Sequence, residues 1–267
     1  MHVEPVAAAA FAEPPRMAAI ALNESQSVDL TADGTMLDVS KDLRLALRGH
    51  VHTIKKESAD GWYHCHFDFG PGTPPLDTEG EYHGEGLDLV EPNGKAKTLI
   101  EQTKKSATES ITMHTQTSNL VGAVGTFLFL HEESAFFGCG GAHPIRRVDG
   151  FVWNATTEKR TELTVPASVL ARAHAQLHGR GMDGSEPTLA EATPRFDAEG
   201  RLSIAWRFEK PSSYADSEGG GSDYSISVTV ESAELPEVLA QYREAPSAIR
   251  NYLANGGEPI VGYTIVD

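Results

Sequence analysis

Alternation of apolar and polar side chains with a period of two restricts this chain more than any other feature. Successive side chains on a strand point to opposite faces, so such a run offers one face to a core and one to water. Leu43, Leu45 and Leu47 alternate with Arg44, Ala46 and Arg48, and the run continues to Ile54. Trp62 to Phe69 alternates too: Tyr63, Cys65, Phe67 and Phe69 share one face, and Trp62, His64, His66 and Asp68 the other. Thr108 to Thr117 reads as a polar strand, and Leu120 to Leu130 as a central strand covered on both sides. Gly86–Glu91 and Ala96–Gln102 flank Pro92-Asn93-Gly94, which reads as a hairpin turn. Val148–Ala155, the two arms of Pro194–Phe208 around Glu199-Gly200, Ile226–Val230 and Ile260–Val266 add further strands.

Helical spacing comes late. Val169, Leu170, Ala173 and Leu177 recur at helical intervals within Pro166–His178, with Pro166 near the start, where its missing N–H is harmless. Leu235–Tyr242 and Pro246–Leu253 read as short helices. The expected fold is α+β: a largely antiparallel β-sheet with a few packed helices. Three regions are expected: an N-terminal tail over residues 1–17, a β-rich region over 18–105 and an α+β domain over 106–267. The tail is Ala/Pro-rich. Ala10-Phe11-Ala12 mimics a signal-peptidase site, but no basic segment precedes it, so the tail reads as a disordered leader or the end of a trimmed export signal.

Charge narrows the partners. The 267 residues carry 38 Asp+Glu against 22 Lys+Arg, a formal net charge of −16. That excess argues against nucleic acid and anionic membranes as non-specific partners and suits a cationic one. Nine of the acidic residues lie between Glu57 and Glu91, a stretch with three histidines and no Lys or Arg. Such a stretch is either a solvated face or a docking surface for a basic protein. No apolar run approaches the ~18 residues of a membrane helix, so no transmembrane segment is expected in this chain.

Catalytic signatures are missing: there is no Gly-x-Ser-x-Gly, Walker loop or Gly-x-Gly-x-x-Gly. His131-Glu132-Glu133-Ser134-Ala135 opens like a zincin motif, but Ala135 stands where the second histidine must be. Two His-x-His pairs, His50 with His52 and His64 with His66, would each put two imidazoles on one strand face. If their strands were neighbours, four histidines could converge on a metal, and the chain would be a metal-dependent hydrolase. Without a third ligand at recognisable spacing, the favoured reading is a non-enzyme with no metal or cofactor. Asn23-Glu24-Ser25 and Asn154-Ala155-Thr156 match the glycosylation sequon. Cys65 and Cys139, the only cysteines, are compatible with two free thiols or with one disulfide.

Gly138-Cys139-Gly140-Gly141-Ala142-His143-Pro144 is the most distinctive segment. Consecutive glycines allow close backbone approach, and Pro144 biases His143 towards extended geometry. It reads as a tight connection or as a rigid loop presenting His143. Gly140-Gly141-Ala142-His143-Pro144, followed by Val152-Trp153-Asn154, Thr156-Thr157-Glu158-Lys159 and Thr161-Glu162-Leu163, resembles the extracytoplasmic domain of RsiV-type anti-sigma factors, also found beside some peptidoglycan deacetylases. Phe196–Leu202, Trp206-Arg207-Phe208, Tyr214-Ala215, Gly219–Gly221, Val228-Thr229-Val230 and Leu235 continue the likeness over about residues 108–242. Trp153 and Ala155 depart from the family's usual Phe and Asp, and Thr157-Glu158-Lys159 lacks its turn glycine. The resemblance implies an extracytoplasmic (periplasmic or cell-surface) binding protein for a basic lysozyme-like cell-wall hydrolase. It implies contacts through Gly140, Gly141, Ala142, His143, Pro144 and Tyr214, and it favours a Cys65–Cys139 disulfide through the export it implies. An envelope module without a lysozyme partner is the further alternative.

Overall fold

The computed structural model describes residues 18–21, 26–31, 33, 35–47, 50–67, 70–73, 76–103, 111–139, 145–180, 186–211, 225–258 and 260–265. Strands dominate, as the alternation predicts, and the fold is α+β with largely antiparallel sheets. The first half holds β1 (Ala18–Ala21), β2 (Ser27–Leu30), β3 (Met36–Ser40), β4 (Leu43–Leu47), β5 (His50–Phe67), β6 (Leu76–Val90) and β7 (Ala96–Ile100). Then come β8 (Ile111–Val124), β9 (Phe127–Gly138), β10 (Ile145–Asn154), β11 (Lys159–Thr161) and helix α1 (Ala167–His178). The last part holds β12 (Thr188–Phe196), β13 (Leu202–Pro211), β14 (Ser225–Ser232), a 3-10 turn at Glu237–Tyr242, helix α2 (Ser247–Ala254) and β15 (Gly262–Ile265).

Strands β12, β13 and β14 form a small sheet, and the other twelve form a large one. The large sheet branches at β8. The first half of β8 pairs in parallel with β6 (Glu81 opposite Met113), and its end pairs in parallel with β15 (Gly262 opposite Ala123). The expected division at residue 105 therefore falls between strands of one sheet. One buried cluster also spans it, joining Leu45, Leu87 and Ile100 to Leu120, Leu128 and Trp153.

Two expectations about strand limits are corrected. Leu120–Leu130 is not one central strand but the end of β8 and the start of β9, joined at Gly125-Thr126. Gly125 sits at φ +58, a left-handed conformation that glycine adopts without a Cβ penalty, and the Tyr242 ring occupies the space its Cβ would fill. Coverage on both sides does hold: Phe127 and Phe129 enter one core and Leu128 and Leu130 the other. The run Leu43–Ile54 is likewise two strands, β4 and the start of β5, paired antiparallel with Leu47 opposite His50.

The small sheet meets the large one through β12. A Cβ on Gly150 would lie 2.4 Å from the Ala190 carbonyl oxygen, and one on Gly122 2.4 Å from Pro194 Cγ, so β12 crosses β8–β10 almost backbone to backbone. Alternation along β13 then separates two environments. Ile204, Trp206 and Phe208 enter the apolar core with Val169, Ala173 and Leu177 of α1, whereas Arg207 and Glu209 point the other way.

Candidate functional site

Strands β5 and β6 form a long antiparallel ribbon in continuous register from Thr53–Val90 to Phe67–Leu76, flanked on β6 by β7 and β8 nearer its base. Directly opposed residues share a face. At the base, one face carries Ile54 and Leu89 into the core. Towards the tip, the same face carries Asp60 opposite His83, Trp62 opposite Glu81, His64 opposite Glu79 and His66 opposite Asp77. Apolar partners end there, and the side chains turn to water: Trp62 is 55% exposed. His66 Nδ1 lies 2.7 Å from Asp77 Oδ1, and His83 sits between Asp60 (2.6 Å) and Glu85 (3.3 Å). The hydrogen bond to Asp60 chiefly raises the pKa of His83 above its ordinary value. Glu85 is held below the ordinary carboxylate range. Its burial pushes the other way but is outweighed by hydrogen bonds from Lys56 (3.0 Å) and the Ser118 N–H. Glu79 and Glu81 make no ion pair among the described residues.

The opposite face of the ribbon tip is anchored. Tyr63 and Tyr82 pack edge to face (5.8 Å between ring centres), Tyr82 contacts His114 (5.5 Å), and His114 contacts Phe136 of β9 (6.5 Å). Cys65, on this face, is disulfide-bonded to Cys139 at the end of β9, with the Cα atoms 5.7 Å apart. The bond ties β5 directly to the end of β9, two strands that do not pair with each other in the sheet.

A second cluster lies where β12 and β13 meet β9 and β10. Arg146 donates to Glu133 (2.7 Å) and Glu209 (3.0 Å), and Arg207 donates to Glu191 (3.1 Å) and Glu209. Buried His131 pairs through Nδ1 with the Ala190 carbonyl (3.1 Å), and its Nε2 lies 3.5 Å from Arg207. The Arg146 hydrogen bond holds Glu133 well below the ordinary carboxylate value. For Glu191, burial opposes ionisation, but the Thr193 hydroxyl and the Arg207 charge outweigh it and lower its pKa. Depressed carboxylates stabilise the fold above their ordinary pKa of 4.5, and that contribution is lost as pH falls through their folded values. These two carboxylates therefore contribute fully at pH 5 and above, and below about pH 4.5 the thermal melt should fall more steeply than that of Glu133→Gln/Glu191→Gln. Parallel acid profiles for the two proteins would contradict this.

The histidine pairs do not converge. All four lie on β5, with ten or more residues between the pairs at ~3.3 Å per residue, so they occupy opposite ends of one strand. His50 is exposed, His52 is buried with Nε2 3.0 Å from the Leu47 carbonyl, and His64 and His66 are exposed at the tip. The alternative reading, four histidines converging on one metal from neighbouring strands, therefore lacks the strand arrangement it required. Gly140, Gly141, Ala142, His143, Pro144 and Tyr214 lie outside the described residues. Their flanks are described: Cys139 is tied to the ribbon, and β13 ends at Pro211, two residues beyond the Glu209 that pairs with Arg146 of β10. Sequence reasoning did not single out Trp62 as a surface residue or the Glu133–Arg146–Glu209–Arg207–Glu191 cluster. The available signal was charge at alternate positions of apolar strands, as in Arg207 and Glu209 alternating with Trp206 and Phe208. No family model, curated protein or solved structure matches the chain.

Proposed function

We propose that this chain is an extracytoplasmic binding protein that docks a basic, lysozyme-like cell-wall hydrolase on the exposed face of the β5–β6 ribbon and blocks it by occlusion. The observation that carries this reading is the half-exposed Trp62 set among Asp60, Glu79 and Glu81 on a rigidly anchored ribbon. An indole beside carboxylates suits an arginine or lysine, which gains both a cation–π contact and an ion pair. The net charge of −16 favours encounter with a cationic enzyme, an effect that weakens as salt shortens the Debye length to ~8 Å. The disulfide fits an oxidising compartment, where such bonds persist. The resemblance to RsiV-type domains supports the same partner class. The segment carrying it, Gly140–Pro144, follows directly after Cys139, which is bonded to Cys65 of the ribbon.

The test is titration with a c-type lysozyme and with a bacterial muramidase, alongside a cell-wall lysis assay at two salt concentrations. Saturable binding with loss of lysis is expected, weaker at high salt. Trp62→Ala should weaken binding by about tenfold or more, as for an interface anchor, while leaving the thermal melt unchanged because the ring is exposed. Absence of binding to either enzyme at micromolar concentration would refute the proposal.

A further inference from the structure

The geometry points to a pH gate on this docking face: we infer that the cross-strand imidazole–carboxylate pairs of the β5–β6 ribbon reduce its negative charge, and so its hold on a basic partner, as the medium is acidified. The inference rests on the reading that this face docks a cation-rich protein.

Each histidine of the ribbon's exposed face stands directly across the ladder from a carboxylate: His64 from Glu79, His66 from Asp77 and His83 from Asp60. Two of these pairs are already closed, at 2.7 Å and 2.6 Å. His83 meets a second carboxylate, Glu85, through its other nitrogen at 3.3 Å. A neutral imidazole can donate to one carboxylate only, whereas an imidazolium donates from both nitrogens and neutralises a charge across the strand.

The charge on this face is simple to state. Among the described residues it carries five carboxylates (Asp60, Asp77, Glu79, Glu81 and Glu85) and one cation, Lys56, which is bonded to Glu85. With neutral imidazoles the face bears a net charge of −4; with all three protonated it bears −1. Strand β8, which flanks β6, adds Met113 and Thr115 beside Glu81 and His83, and neither titrates. Lys56 also donates to Asn119 of β8, likewise neutral (2.8 Å). The nearest further charges, Glu133 and Arg146 of β9 and β10, are closed on each other at 2.7 Å. Beyond them, His131, Arg207, Glu191 and Glu209 are paired with one another and with Glu133 and Arg146 at the sheet junction, so the ladder's own histidines are its exposed variable part. Histidine is the side-chain type whose charge answers to mild acidification, whereas Asp, Glu and Lys as a class do not.

The experiment measures binding of the full chain at pH 7.5, 6.5 and 5.5 and constant ionic strength. One probe is a c-type lysozyme. The other is a ten-residue arginine peptide, whose own charge does not change over this range. Affinity for both should fall by about tenfold between pH 7.5 and 5.5, chiefly through slower association. His64→Gln/His66→Gln/His83→Gln, three replacements on an exposed face, should flatten the profile while keeping the wild-type melting temperature. Equal affinity at pH 7.5 and 5.5 in the wild type, or an unchanged pH profile in the triple variant, would overturn the gate while leaving the docking reading intact. No binding of either probe at pH 7.5 would overturn the docking reading and the gate with it.

Discussion

Replacing Arg207 with leucine should lower stability by about 3 kcal/mol, because it leaves two carboxylates in a largely desolvated junction without their cation. Arg207 is the shared partner of Glu191 and Glu209, and the Glu209 side chain is only 9% exposed. Arg146 keeps its hold on Glu209 at 3.0 Å, which limits the loss there, but Glu191 has no second guanidinium among the described residues. For a chain of 267 residues, the expected fall in melting temperature is about 6–10 °C. Arg207→Leu/Glu191→Leu should recover part of the loss, since removing both charges abolishes the uncompensated one. A melting temperature for Arg207→Leu within 2 °C of the wild type would show that the cluster does not clamp the two sheets together.

The second large effect belongs to the disulfide. Cys65→Ser/Cys139→Ser releases a loop closed over a sequence separation of 74. The chain-entropy account assigns such a bond about 4.5 kcal/mol through restriction of the unfolded chain, and calorimetric accounts differ on its origin. The expected readout is a fall of about 10 °C in melting temperature in the double variant, with binding at 20 °C weakened as the ribbon tip loses its tie to β9. Tyr63, Tyr82, His114 and Phe136 still hold the tip in place, so the fold should persist and the loss of affinity should be partial. A double variant as stable as the wild type would assign the anchoring to the aromatic stack alone.

Much of this architecture is legible in the residues, and the exceptions have physical causes. Tyr63 and Cys65 share one face and Trp62, His64 and His66 the other, as alternation predicts, and the structure buries the first and exposes the second. Pro92-Asn93-Gly94 turns as expected, with Gly94 at φ +86. The hairpin at Gly125-Thr126 is hidden because β8 and β9 are apolar on both faces at that end, so the hydrophobic run continues through the turn. The full length of β5 is hidden for the opposite reason. Lys55 to Ser58 are exposed in succession where the ribbon leaves the core, and a strand with water on both faces has no apolar beat to read.

The candidate site divides in the same way. The acidic stretch is visible as a run of charge, but its arrangement into opposed His–carboxylate rows depends on the β5–β6 register, which composition does not encode. The junction cluster joins Glu133 to Arg146 across 13 positions through the β9–β10 pairing, and Arg146 to Glu209 across 63, which only the packing of two sheets brings together. The two His-x-His pairs mislead because each is locally sound: i and i+2 do share a face. Convergence needed two adjacent strands, and β5 carries both pairs itself.

Amide hydrogen exchange on the full chain, alone and with a saturating c-type lysozyme at pH 7.5 and low salt, tests the docking face most directly. Slowed exchange over residues 58–67 and 76–85, with α1 and β14 unchanged, is the predicted result. Binding accompanied by protection confined to α1 and β14, or by none on the ribbon, would contradict it.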